Sequence, residues 1–310
     1  MNLEPIKLSP AFKDYLWGGV KLKEEFNKKS ELDEVAESWE LSTHPDGESI
    51  VASGEFKGKK LSEYISENNV IGKRAEAFSF FPVLIKFIDA CDNLSIQVHP
   101  SDEYALKNEN SFGKTEMWYV LECNEGAYLY YGLNREISRD EFKERIENNT
   151  LLEVLNKVPV KKGDVFFINS GTIHAICSGI VICEIQQNSN LTYRVYDYDR
   201  RDKDGNAREL HIDKAIAVSD LCPAKPYKSD SENVLAKCKY FTVEKYDVSD
   251  SITLKTDADC FRSVIVTDGS GKLTMNGKTI DFIKGDSLFI PAQDGEYTVC
   301  GECEIIVTYV

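Results

Sequence analysis

The run Asn93-Leu94-Ser95-Ile96-Gln97-Val98-His99-Pro100 alternates apolar and polar residues without a break. Successive side chains of a strand point to opposite faces, so Leu94, Ile96 and Val98 share one side while Ser95, Gln97 and His99 share the other. The polar side places an amide oxygen and an imidazole two residues apart, which can seat one metal ion. Two further candidate ligands follow: Glu116 in Gly-Lys-Thr-Glu-Met-Trp-Tyr, and His174 in Asn-Ser-Gly-Thr-Ile-His-Ala.

Strand patterns dominate the rest of the chain. Residues 37–45 alternate and end at a proline, and 81–89 form an apolar run interrupted by Lys86. Residues 165–169, 175–177, 180–186 and 192–198 read as further strands. Residues 117–122 and 127–132 flank Cys123-Asn124-Glu125-Gly126, a pattern expected of a hairpin. Helical signals are fewer: a charged segment after Gly19, residues 61–69, and residues 212–221. Ser138 followed by Glu141 forms a capping box, with Ile137 placed to staple onto Phe142. That helical pattern continues through Ile146 to about Leu155 and stops before Pro159, so a helical insert separates Glu116 from His174.

Residues 223–233, rich in Ser, Asp, Lys and Pro, form the best linker candidate. An internal echo crosses it. Lys162-Gly163-Asp164-Val165-Phe166-Phe167-Ile168 aligns with Lys284-Gly285-Asp286-Ser287-Leu288-Phe289-Ile290, and at the same offset Glu296 stands where the first copy has His174. The echo implies two related β-barrels, only the first of which keeps its metal ligands.

The 52 acidic and 37 basic side chains give a formal charge of -15, which disfavours nucleic acid and anionic membrane as partners. A small anionic substrate would then need a local basic cluster. The amino terminus lacks a basic segment followed by an apolar one, and no stretch is long and apolar enough to span a bilayer, so a cytoplasmic protein is expected. Nine cysteines is an odd number, scattered among strands, and most should be reduced and buried. Cys300-Gly-Glu-Cys303 is a lone C-x-x-C that reads either as a redox or metal half-site or as filler in a final strand. His44, beside a turn, reads as structural rather than as a ligand.

The segment from Gly163 to His174 resembles the second signature of the cupins, small barrels with a metal histidine on a turn, with Asn169 where that pattern usually has proline. More specifically, Ser-Ile-Gln97-Val-His99-Pro-Ser-Asp-Glu-Tyr-Ala, Gly-Lys114-Thr-Glu116-Met-Trp-Tyr and Gly-Thr-Ile-His174-Ala resemble the zinc-dependent type I mannose-6-phosphate isomerases in their short bacterial form. The likeness extends from Trp17-Gly18-Gly19 to the motif running from Asn190 through Tyr198. It implies a mainly β chain of two cupin-type, jelly-roll barrels. Residues 1–225 would form the catalytic domain, with a helical insertion near 137–157, and residues 235–310 a metal-free cupin domain.

The resemblance also implies one zinc ion per chain, held by Gln97, His99, Glu116 and His174, and a monomer or weak homodimer acting on a sugar phosphate. In that family a proton moves between C1 and C2 through an enediolate, interconverting mannose 6-phosphate and fructose 6-phosphate. A Lewis acid would stabilise the charge that develops on oxygen. Arg194, on an alternating strand in a motif bordering the active site, is expected to orient the substrate or steady the enediolate. Lys114, two residues before Glu116, would neutralise phosphate or assist proton transfer, and Lys86 is a further phosphate candidate. Lys114, Glu184 and zinc-bound hydroxide remain candidates for the base. The alternative is a sugar-phosphate-binding cupin without chemistry.

Overall fold

The computed structural model describes residues 3–201, 204–229 and 231–310. Its strands form sheets of nine, six, five and two strands. The six-stranded sheet runs in the order Val165–Ile168, Glu116–Cys123, Ile180–Gln187, Val83–Ala90, Glu37–Leu41, Ala11–Lys13. Its Val83–Ala90 and Ile180–Gln187 strands are buried at every residue. The reason is that both faces of this sheet are covered. Val83, Ile85, Phe87, Met117, Tyr119, Cys183 and Ile185 pack with Phe241, Val243, Ile265, Phe289 and Ile306 of the carboxyl-terminal half. Side chains of the opposite parity, Ile88, Trp118, Val120 and Ile182, pack with Leu129, Tyr131 and Ile176 of the five-stranded sheet. A sheet covered twice needs near-continuous apolar strands, which is how 81–89 and 180–186 read.

In the five-stranded sheet, Ile96–Val98 lies between His174–Ile176 and Tyr193–Tyr196. Ile96 and Val98 turn outward into a core shared with Phe142, Ile146 and Ala215, contributed by the Arg139–Glu147 and Ile212–Val218 helices. Gln97 therefore turns inward, as the alternation requires. Leu94 departs from that pattern: it precedes the first paired residue and joins the inner core with Trp17 and Trp118.

Several expectations change. The strands on either side of Cys123 do not pair with each other; Glu116–Cys123 belongs to the six-stranded sheet and Tyr128–Leu133 to the five-stranded one. The turn carries the chain between facing sheets. The helix capped by Ser138, whose Oγ accepts from Glu141 N at 3.1 Å, ends at Glu147. After a short turn of 3-10 helix at Leu151–Glu153, residues Leu155–Pro159 form an edge strand, with Pro159 opposite Tyr128. Proline is tolerated there because an edge strand has one unpaired side. The charged segment after Gly19 holds only one turn of helix, Lys21–Glu24. All nine cysteines are free, but only Cys177, Cys183, Cys260 and Cys303 are buried, so burial of the majority does not hold. Among the described residues no helix is long and apolar enough to cross a membrane.

Residues 223–229 and 231–233 carry no helix or strand, as a linker should. The two halves nevertheless share a sheet: Ile6–Ser9 pairs antiparallel with Ser287–Ile290, Ile6 opposite Phe289. The echo extends to individual hydrogen bonds. Asp164 Oδ2 accepts from Lys161 N and Asp286 Oδ2 from Ile283 N, each at 2.9 Å. Gly163 N donates to Val120 O and Gly285 N to Val266 O, each at 2.8 Å.

Both glycines have positive φ, +89° and +94°, where a side chain is strained. Their surroundings differ. A Cβ on Gly163 would meet nothing within 4 Å, whereas on Gly285 it would lie 1.9 Å from the carbonyl oxygen of Phe26. Gly163→Ala is expected to lower the unfolding free energy by about 1–2 kcal/mol, the cost of a left-handed residue. Gly285→Ala should cost clearly more, and denaturant unfolding of the two variants compares them; equal losses would contradict the close packing at Phe26.

Candidate active site

The two inner faces present polar side chains of matching parity to each other. On the five-stranded sheet, Gln97 is the register partner of both His174 and Arg194, so these three stand side by side across adjacent strands. On the six-stranded sheet, Glu184 is the register partner of Lys86 and Trp118, and Glu116 of Gln186. The two rows meet in a buried cluster. His99, Glu116 and His174 bring their ligand atoms within 4.8 Å of one another.

The protonation of the histidines follows from their backbone partners. His99 Nδ1 donates to Leu191 O at 2.9 Å and His174 Nδ1 to Thr172 O at 2.8 Å. A carbonyl only accepts, so each ring carries its proton on Nδ1 and aims an Nε2 lone pair inward. His174 Nε2 lies 3.3 Å from Glu116 Oε1 and His99 Nε2 3.7 Å from Glu116 Oε2. The Gln97 amide approaches His174 Nε2 to 3.4 Å. Burial holds His174 down to about 4 and, reinforced by Lys114, holds His99 well below its usual value, so both rings stay neutral.

The charges do not balance. Glu37, Glu116 and Glu184 face Lys86 and Lys114, all five buried. Lys114 Nζ is 2.7 Å from Glu116 Oε2, 3.2 Å from His99 Nε2 and 3.7 Å from Glu184 Oε1. Lys86 Nζ is 3.2 Å from Glu37 Oε2 and 3.7 Å from Glu184 Oε1, above the Trp39 ring. Burial and the neighbouring Glu184 push Glu116 up to about 8, and its Oε1 accepts no hydrogen bond. Burial presses the Lys114 amine down, but Glu116 and Glu184 outweigh it and raise it. Glu184 is lowered: burial opposes this, and Lys114, Lys86 and the Trp118 hydrogen bond prevail. Two neutral imidazoles, an orphaned carboxylate oxygen and a deficit of positive charge fit a divalent cation.

A cleft of about 250 Å³ opens beside the cluster, lined by Gln97, Lys114, Glu184, Lys86, Arg194 and Arg208 together with Trp17, Asn190 and Thr192. Arg194 is held by Ser95 Oγ at 3.2 Å and by Glu209 O at 2.9 Å. Arg208 pairs side-on with Asp197, donating through Nε at 2.8 Å and Nη2 at 2.5 Å. Its sequence context, just after a charged stretch that holds Arg200 and Arg201, does not single it out. Arg200 does not line the cleft; it binds Asp197 and the backbone of Asn93, and Arg201 is exposed. Lys86 lines the cleft with its ammonium already placed between two carboxylates. His44 lies apart, its ring edge against Trp39, and Cys300 and Cys303 are an exposed and a buried free thiol on one strand.

Residues 6–126 match the family described as phosphomannose isomerase type I, catalytic domain, and residues 231–310 match the mannose-6-phosphate isomerase cupin domain. Mannose-6-phosphate isomerase ManA of Bacillus subtilis (strain 168) is 38% identical over 320 residues, covering 100% of each chain. The chain belongs to the type I phosphomannose isomerases. The mannose-6-phosphate isomerase of Streptococcus mutans is also 38% identical, over 99% of this chain and 98% of its own. The crystal structure of the mannose 6-phosphate isomerase from Bacillus subtilis superposes with a TM-score of 0.91 at 36% identity, covering 99% of this chain and 100% of that one. The family is one of aldose-ketose isomerases, and its cupin domain accounts for the β-rich segment 231–310.

Within this member of the family, Trp118 Nε1 donates to Glu184 Oε2 at 2.9 Å, and its ring meets His174 edge-on. Trp118→Phe removes a donor from a buried carboxylate. It should lower the unfolding free energy by about 1.5–3 kcal/mol, the usual worth of a hydrogen bond to a charged group. Denaturant unfolding checks this, and an unchanged midpoint would show that the lysines alone satisfy Glu184.

Proposed function

We propose that this chain interconverts mannose 6-phosphate and fructose 6-phosphate by moving a proton between C1 and C2 through an enediolate, with one zinc ion held by Gln97, His99, Glu116 and His174. The observation that carries the reading is the convergence of two inward imidazole lone pairs and the orphaned Glu116 oxygen beside a cationic cleft. A half-turn of the Gln97 amide would add its oxygen to the set. Zinc, when bound, supplies Lewis-acid stabilisation of negative charge on the substrate oxygens.

The residues divide the remaining work. Lys114, held charged by two carboxylates, is an acid or an electrostatic partner rather than a neutral base. We assign the base to Glu184: it lines the cleft, its lowered pKa keeps it ionised and able to accept a proton, and its Oε1 accepts no hydrogen bond. Arg194, fixed by Ser95 and Glu209, orients the sugar and steadies the developing enediolate. Arg208 keeps donors beyond those engaged by Asp197, and with Arg194 it forms the local cationic patch that the phosphate of an acidic protein's substrate requires. Lys86 acts on that patch through its field, since Glu37 and Glu184 occupy its ammonium.

The same reading divides the fold into two cupin-type barrels. Residues 1–225 form the catalytic unit with its insert near 137–157, and 235–310 the metal-free unit. The matched hydrogen bonds at Asp164 and Asp286 support the relation, and the Ile6–Ser9 strand ties the units together.

Metal analysis with a coupled assay on mannose 6-phosphate tests the function. One zinc per chain is expected, with activity lost on chelation and regained with zinc. His99→Ala and His174→Ala should abolish activity while leaving a folded chain. Exchange of the C2 proton into deuterated solvent should accompany turnover; binding of the sugar phosphate without exchange would favour the non-catalytic alternative. Arg208→Ala should raise KM for mannose 6-phosphate by about 10- to 150-fold, the equivalent of one charge-assisted hydrogen bond. An unchanged KM would place the phosphate elsewhere.

A further inference from the structure

Among the described residues, the segment 231–310 contributes no side chain to the cluster, yet one residue near its start reaches the loop that carries the cluster. Between His99 and Glu116 the chain leaves the five-stranded sheet, forms the Asp102–Asn108 helix and returns through Gly113 to the six-stranded sheet. The two ends of this loop are closed on each other. Lys114 N donates to Pro100 O at 3.0 Å. Asp102 Oδ1 accepts from Gly113 N at 2.9 Å and from Gln187 Nε2 at 2.8 Å. Gln187 Oε1 in turn accepts from Thr115 N at 2.9 Å.

The remaining Asp102 oxygen, Oδ2, accepts from the hydroxyl of Tyr240, with the mostly exposed Lys239 ammonium 3.6 Å away. Tyr240 is buried, its ring 6.4 Å from that of Phe78. The closure leaves no slack: a Cβ on Gly113 would lie 2.5 Å from Asp102 N. The Gly113 amide is thus fixed by Asp102 directly and the Thr115 amide through Gln187, and Tyr240 holds that carboxylate in place.

We infer that Tyr240 is a positioning residue: through Asp102 and Gln187 it fixes Gly113-Lys114-Thr115 and so sets the Lys114 ammonium between His99 and Glu116. Lysine has a flexible stem, so the site of its Cα and the bonds beside it decide where the charge stands. A displacement of about 1 Å can cost roughly 100-fold in rate when it moves a group out of reacting geometry. The kinetic consequence rests on the isomerase reading above, whereas the local rigidity does not.

The test compares wild-type zinc enzyme with Tyr240→Phe, Asp102→Ala and the double variant, by steady-state kinetics on mannose 6-phosphate, zinc content and amide hydrogen exchange. Tyr240→Phe should lower kcat about 10-fold and Asp102→Ala about 100-fold, with KM within about threefold and zinc retained. The double variant should be no slower than Asp102→Ala alone, because both changes break one chain of contacts. Exchange at Gly113 and Thr115 should quicken in every variant while Val83–Ala90 keeps wild-type protection. Wild-type kcat in Tyr240→Phe, multiplying losses in the double variant, loss of zinc, or uniform loss of protection would each overturn the inference. Should the wild-type protein fail to isomerise the sugar phosphate, the functional reading falls, and the exchange at Gly113 and Thr115 still decides the clamp.

Discussion

Five buried carboxyl and ammonium side chains, three of them acidic and two basic, share the space between two facing sheets, and the rest of the site answers to that imbalance. Charges taken out of water are costly unless each finds a partner, so the ammoniums of Lys86 and Lys114 are each shared between carboxylates. The shortfall settles on Glu116. Its raised pKa and orphaned oxygen mark the place where one more positive charge lowers the energy of the whole cluster. The fit of this cluster to a cation arises from the surrounding electrostatics as much as from the identity of the side chains.

Parity explains why the polar face of the candidate site was legible. Gln97, Glu116 and His174 lie on strands whose apolar neighbours are committed to other cores, so the polar side has one direction left to face. His99 follows the same alternation just past the end of its strand. Lys86 and Glu184 were visible for the same reason, as charged residues in otherwise apolar strands. Their pairing was not, because register between strands distant in sequence depends on the whole sheet.

Other features left no such mark. The turn at Cys123 to Gly126 has the same composition whether it returns a strand to its own sheet or carries it to the facing one. Arg208 follows a charged stretch and sits beyond any regular pattern; only the fold shows that its partner Asp197 turns it toward the cleft. Tyr240 offered no signal at all, since a tyrosine near the start of a β-rich segment usually belongs to a core. The early end of the Ser138 helix reflects a tertiary demand: Leu155–Pro159 is needed as an edge strand for Tyr128–Leu133.

The pairing of Ile6–Ser9 with Ser287–Ile290 bears on how the molecule comes into being. During synthesis the Ile6–Ser9 segment must wait, unpaired on that side, until the distant Ser287–Ile290 segment has been made. The apolar surface of the six-stranded sheet that faces Phe241, Ile265 and Phe289 is bare over the same interval. Synthesis therefore imposes a period in which the six-stranded sheet is complete in sequence but uncovered in space, the condition under which large β proteins lean on chaperones.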